Sequence, residues 1–163
     1  MFNRGERFQN ADRKITGWMA SHGITLLRIS MGIIFLWYGM LKFFEGLSPA
    51  ESLAVRTIDI LTFGLIGPGL VRYGLAAWEV LIGIGLLFRF RLRETLLLMF
   101  LQMLGTLTPI FLLPGEVFRV IPYALTLEGQ YIFKNLVLIA AGMVIGATVR
   151  GGALVPEDPD RKG

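Results

Sequence analysis

The sequence contains no cysteine. That excludes disulfides, thiol catalysis, iron–sulfur clusters, thiolate zinc sites and the CxxC redox chemistry of disulfide-generating membrane enzymes. Histidine is almost as scarce, with His22 the single copy in 163 residues. A haem held between two membrane histidines of one chain is excluded, and His22, just ahead of the first apolar run, reads as an ordinary interfacial residue. Charge is thin as well. Charged residues make up 17% of the chain and hydrophobic ones 54%, against about 25% and about 45–50% in a soluble domain. Metal-ligand clusters, nucleophile–base pairs, P-loops and dinucleotide fingerprints are missing too. No soluble stretch forms a basic, aromatic-studded groove, so nucleic acid is not an expected partner.

What is present is long apolar blocks. A bilayer crossing needs about 20 mostly apolar residues, and four segments qualify: 23–44, 69–90, 95–113 and 130–149. The expected fold class is all-α, an integral membrane four-helix bundle. A basic N-terminal segment (1–22) precedes the four-span domain (23–149), and a polar tail (150–163) follows. The N-terminal stretch lacks the short apolar core and small-residue cleavage site of a signal peptide, so a retained first helix is expected.

Basic residues cluster at one end of the expected bundle. Arg4, Arg7, Arg13 and Lys14 precede the first span, Arg89, Arg91 and Arg93 fill the turn between the second and third, and Arg150, Arg161 and Lys162 follow the fourth. The other two connections carry Arg56, Arg72 and Arg119 beside Glu45, Glu51, Asp59, Glu116 and Glu128. The positive-inside rule then places both termini in the cytoplasm. The first outer connection reads as a short interfacial helix between the first and second spans. Ser48, Pro49 and Glu51 make a capping box with proline at its favoured position, and Ala54, Ile58, Leu61 and Leu65 recur at helical spacing. The second outer loop, punctuated by Pro114 and Pro122, reads as a segment at the membrane interface. The tail PEDPDRKG reads as disordered.

The spans carry polar residues in stripes. Arg28, Gly32, Phe35, Gly39 and Lys42 follow steps of four and three, so both charges share one glycine-lined face of the first helix. Small residues there let another helix approach closely. Glu79 lies near the middle of the second span, flanked on its face by Ala76 and Gly83, and must be paired, protonated or wet. Gln102, Thr106 and Pro109 mark the third span, and Lys134 and Asn135 the fourth, where Gly142 and Gly146 form a GxxxG packing contact. The expected intramembrane polar site is Arg28, Lys42, Glu79, Gln102, Thr106, Lys134 and Asn135. Glu79 is the counter-charge of one of the two stripe cations, Arg28 or Lys42, and the sequence leaves the choice open. Counting depth from the span ends leaves Arg28 and Lys134 nearly equal as its partner.

Taken in order, LLRISMGIIFLWYGMLKF, EVLIGIGLL, TLTPIFLLP and TLEGQYIFKNLVLIAAGMVI resemble the DoxX-like bacterial membrane proteins. The likeness is greatest to the RclC-type branch associated with reactive chlorine resistance, from which this chain differs in a shorter first outer loop. By position the pattern falls on Arg28, Gly39, Lys42, Glu79, Thr108, Pro109, Lys134 and Asn135. The resemblance implies a bacterial inner (plasma) membrane protein of four spans linked to oxidant or redox stress, acting with a redox partner protein and the quinone pool. No covalent cofactor is implied. A quinone needs only a groove, aromatic walls and a few hydrogen-bond donors. Lys42, Lys134, Asn135 and Tyr131 are candidate donors to a carbonyl oxygen, Glu79 a candidate proton relay, and Phe35, Trp37, Phe43, Trp78 and Phe133 candidate walls. Two alternatives remain open at this level: a small-solute transporter or channel acting as a homo-oligomer, or a structural membrane subunit whose charges only set helix register. A self-standing enzyme is the least favoured class.

Overall fold

The computed structural model describes residues 4–48 and 51–155. Pro49 of the expected cap, Arg161, Lys162 and most of the polar tail lie outside the described residues. The chain is almost entirely helical, as its apolar blocks require: with no water to satisfy backbone groups inside a bilayer, each crossing must close its hydrogen bonds internally. α1 runs Arg4–Leu41, α2 Glu51–Leu61, α3 Pro68–Phe88, α4 Leu92–Leu107 and α7 Leu127–Ala147, with two single-turn helices, α5 (Pro109–Leu112) and α6 (Pro114–Val117), after α4. Four helical stretches are long and apolar enough to cross a membrane: Phe8–Leu41, Pro68–Phe88, Leu92–Leu112 and Leu127–Ala147. The protein is thus a multi-pass, all-α membrane protein with a four-helix bundle. α1 and α4 each pack against both α3 and α7, which closes the bundle into a ring.

α1 is longer than the first apolar block. Its basic N-terminal part is helical and continuous with the span, every described residue from Phe8 to Gly23 is exposed, and Ile24 is the first half-buried position. At the other end α1 stops at Leu41, so Lys42 lies one residue past the helix. The third crossing is broken at Thr108. Proline at 109 has no N–H to continue the ladder, and α5 restarts the chain as a separate turn. Between α6 and α7 lies a two-stranded antiparallel hairpin, β1 (Phe118–Val120) and β2 (Ala124–Leu125). No strand is expected here from the sequence, which shows only a proline-punctuated loop. Three- and two-residue strands are too short to show an alternating pattern. Thr126 caps α7 by accepting from Gly129 N at 3.0 Å while its hydroxyl donates to Glu116 O at 2.6 Å.

Glycines set how the helices seat. A Cβ on Gly83 would stand 2.6 Å from the Leu36 backbone nitrogen, one on Gly39 would stand 2.9 Å from both Glu79 Cβ and Val80 N, and one on Gly32 would stand 2.8 Å from Leu87 Cγ. Each step of three or four residues along α1 therefore matches an opposite step along α3, a fixed antiparallel register. Gly142 presses on Met99 and Phe100 of α4, whereas Gly146 has only an ordinary contact with Leu96 at 3.6 Å. The main core joins Met31 and Phe35 to Ile82, Leu86, Met99 and Ile145 at the end nearer the α3–α4 turn. A smaller cluster of Leu53, Val117 and Ile132 lies under α2.

Candidate functional site

Between these two clusters is a cavity of about 830 Å³. Six of the seven polar residues expected to form an intramembrane site line it: Lys42, Glu79, Gln102, Thr106, Lys134 and Asn135. They come from the end of α1, the middle of α3, the outer half of α4 and the outer half of α7. α2 forms the roof, with Leu53 and Thr57 buried and Ala54, Ile58 and Leu61 also on the cavity wall. Leu65, expected on the same stripe, falls beyond the helix and is 85% exposed. The roof is tied down by ion pairs on both sides: Arg56 to Glu116 of α6 at 2.5 Å, and Arg72 of α3 to Glu51 at 3.5 Å and Glu45 at 3.2 Å.

Glu79 is the centre of the polar network. Its Oε2 accepts from Lys42 Nζ at 2.6 Å and its Oε1 accepts from Gln102 Nε2 at 2.6 Å. The two charged side chains are 13% and 12% exposed, so the pair is largely withdrawn from solvent. Of the two cations on the α1 stripe, Glu79 pairs with Lys42; depth counting, which leaves Arg28 and Lys134 nearly equal, does not single it out. The register explains the choice. Gly39 lies directly against Glu79, and Lys42 is three residues from Gly39 while Arg28 is eleven. At 1.5 Å per residue these are offsets of about 4.5 and about 16 Å, and only the shorter is within side-chain reach.

Arg28 serves a different place. It shares the face that α1 turns to α3, as the stripe predicts, but its guanidinium donates to the carbonyls of Leu86 and Leu87, the latter at 2.9 Å. Those are among the last carbonyls of α3, which have no partner within the helix. Arg28 thus caps α3 from across the interface, a favourable placement for a cation at the negative pole of the helix.

Lys134 does not reach Glu79. Its ammonium sits 5.4 Å from the Tyr131 ring centroid, and none of the ion pairs among the described residues includes it. Asn135 Nδ2 donates to Thr106 Oγ1 at 3.1 Å, and Thr106 donates to Met103 O at 2.9 Å. Of the candidate aromatic walls, Phe35 and Trp78 line the cavity, whereas Trp37, Phe43 and Phe133 do not. Thr108 donates to Gly105 O at 2.6 Å outside the cavity, while Pro109 lines it. Tyr38 and Thr57 line the wall too and were missed. Tyr38 was detectable, being one turn from Lys42 on the same face. Thr57 was not, since its hydroxyl is spent within α2 on Leu53 O at 2.7 Å. Among the described residues no three His, Asp or Glu side chains converge as a metal site would require.

This geometry defines the class as a multi-pass membrane protein with a polar-centred cavity between its spans. No family model, curated protein or solved structure matches the chain.

Proposed function

We propose that the cavity receives the ring of a quinone-type head group and that the protein is an accessory component of quinone-linked oxidant defence in a bacterial inner membrane, as the resemblance to DoxX-like proteins suggests. The convergence of polar side chains from four spans on one cavity of about 830 Å³ with mostly apolar walls carries the reading. That size and lining suit a ring-bearing ligand of this kind.

The residues fit such a group. Lys134 and Asn135 bring N–H donors to the wall, Tyr131 brings a hydroxyl, and Phe35 and Trp78 supply flat apolar surface. A bound quinone would supply reversible two-electron, two-proton chemistry. The chain's own residues bind carbonyl oxygens, keep water out beneath α2 and hold Glu79 between two donors as a carboxylate able to take up a proton. The excess of Arg4, Arg7, Arg13, Lys14, Arg89, Arg91, Arg93 and Arg150 at the α3–α4 end, against Arg56, Arg72 and Arg119 at the other, supports cytoplasmic termini.

The test is hypochlorite survival of a deletion strain carrying wild type, Glu79→Gln or no copy, with membrane abundance measured for each. Protection by wild type and none by an equally abundant Glu79→Gln is the expected result. A deletion strain as resistant as wild type overturns the oxidant-defence reading.

A further inference from the structure

We infer that the cavity is loaded sideways from the bilayer, through an opening between the outer halves of α1 and α7, and that it selects ligands with an alkyl or isoprenoid tail, which stays in that opening. The inference rests on the reading that the cavity holds a ligand, and adds its route and physical class.

The opening follows from burial along two helix faces. Ala141 and Lys134 are seven residues apart, so they share one face of α7. At Ala141 the seam is shut, for that residue is 7% exposed and joins the core cluster of Met31 and Phe35. At Lys134 and Val137 the same side of α7 is exposed, Val137 by 70%, and yet both residues line the cavity. α1 behaves alike. Phe35 is 4% exposed, whereas Ile34 at 40% and Tyr38 at 38% are exposed and also line the cavity. Residues that belong to both the outer surface and the cavity wall form its rim.

The outer mouth is covered by α2, with Leu53 and Thr57 each 3% exposed. The α3–α4 side carries rim residues as well, Trp78 at 38% and Leu101 at 47% exposed, but there Trp78 Nε1 donates across the seam to Leu98 O at 3.1 Å, and neither residue is as open as Val137. The remaining rim faces hydrocarbon, and a species reaching it must first dissolve there. Each buried methylene of a tail contributes about 0.8 kcal/mol to that partition. Lys134, with no carboxylate partner among the described residues, stands at the rim where a polar head would pass.

The cysteine-free chain permits a clean test, because one introduced thiol is the sole reporter. Leu138→Cys puts it on the cavity wall, and Leu97→Cys, at a residue 59% exposed on α4 and outside the cavity, is the lipid-facing control. Both are reacted in lipid nanodiscs with a long-chain N-alkyl maleimide or a sulfonated, membrane-impermeant maleimide. The alkyl reagent should label Leu138→Cys faster by about tenfold or more, and filling the rim with Val137→Phe plus Ile34→Phe should slow it by about tenfold without changing Leu97→Cys, a barrier change of about 1.4 kcal/mol. Val137→Phe alone, at a lipid-facing position, is the substitute if the pair lowers yield. Equal labelling by the sulfonated reagent, or no effect of the bulky rim, overturns the inference. A fully ring-substituted benzoquinone bearing a decyl chain, which offers the thiol no open ring carbon to add to, separates the two readings when added before labelling, with its fully ring-substituted tail-less counterpart as the comparison. If the decyl quinone protects Leu138→Cys, and the tail-less one at equal membrane mole fraction protects less, both stand. If both quinones protect equally, tail selection fails. If neither protects a thiol that is labelled through the opening, the quinone reading fails and the opening stands.

Discussion

Replacing Lys42 with methionine isolates the energetics of the site. Lys42→Met keeps the length and apolar stem of the side chain while leaving Glu79 with Gln102 as its only donor among the described residues. Glu79 sits eleven residues into the 21-residue helix α3, about 16 Å from that end, so its carboxylate cannot reach water by bending. Removing one partner of a buried ion pair costs about 3–5 kcal/mol, while interhelical hydrogen bonds in membranes average only about 0.6 kcal/mol. The surviving Gln102 bond brings the expected loss to the lower end of that range, about 3 kcal/mol. Glu79→Gln should cost less, about 1 kcal/mol, because Lys42 lies just past the end of α1 and can turn outward. The double variant Lys42→Met with Glu79→Met should recover to within about 1 kcal/mol of wild type, since no unpaired charge remains. Reversible unfolding in mixed micelles, read by helicity, measures all three. The reasoning is refuted if Lys42→Met costs less than about 1 kcal/mol, or no more than Glu79→Gln.

Other consequences follow from the packing. Gly83→Ala forces a methyl onto the Leu36 backbone, so unfolding should show a loss of about 2–3 kcal/mol; an unchanged stability would contradict the close α1–α3 seam. Gly146→Ala meets only an ordinary contact at 3.6 Å, and should be neutral or gain up to about 1 kcal/mol from helix propensity in the same assay. Arg28→Gln strips the cap from the last carbonyls of α3, with an expected loss of about 1–3 kcal/mol and faster amide exchange confined to the α3–α4 turn. Arg72→Gln should raise exchange across α2 by releasing Glu45 and Glu51, leaving α7 unaffected.

Much of this molecule was written in linear order. Length and apolarity specified four crossings, because a bilayer demands internally bonded helices of a set length. Steps of three and four showed that Arg28 and Lys42 share a face with Gly32 and Gly39, because helical geometry depends only on position along the chain. The short outer helix and the polar stripes of α3, α4 and α7 were legible for the same reason. Less was visible where structure is short. The hairpin before α7 has too few residues for a period, and the break at Thr108 turned an apparently continuous third span into two helices.

What the chain order could not determine is who meets whom. The stripe offers Arg28 and Lys42 to Glu79, and depth measured from span ends leaves Arg28 and Lys134 nearly equal, so neither selects Lys42, which holds it. Helix ends are poor rulers, since α1 begins well before its apolar block and stops before Lys42. The true ruler is the contact of Gly39 with Glu79 and of Gly83 with Leu36, which sets the slide of α1 along α3 to within a turn. That slide exists only once two helix surfaces are pressed together. It sends Lys42 to the carboxylate and Arg28 to the end of α3, and it leaves Lys134 at the cavity rim.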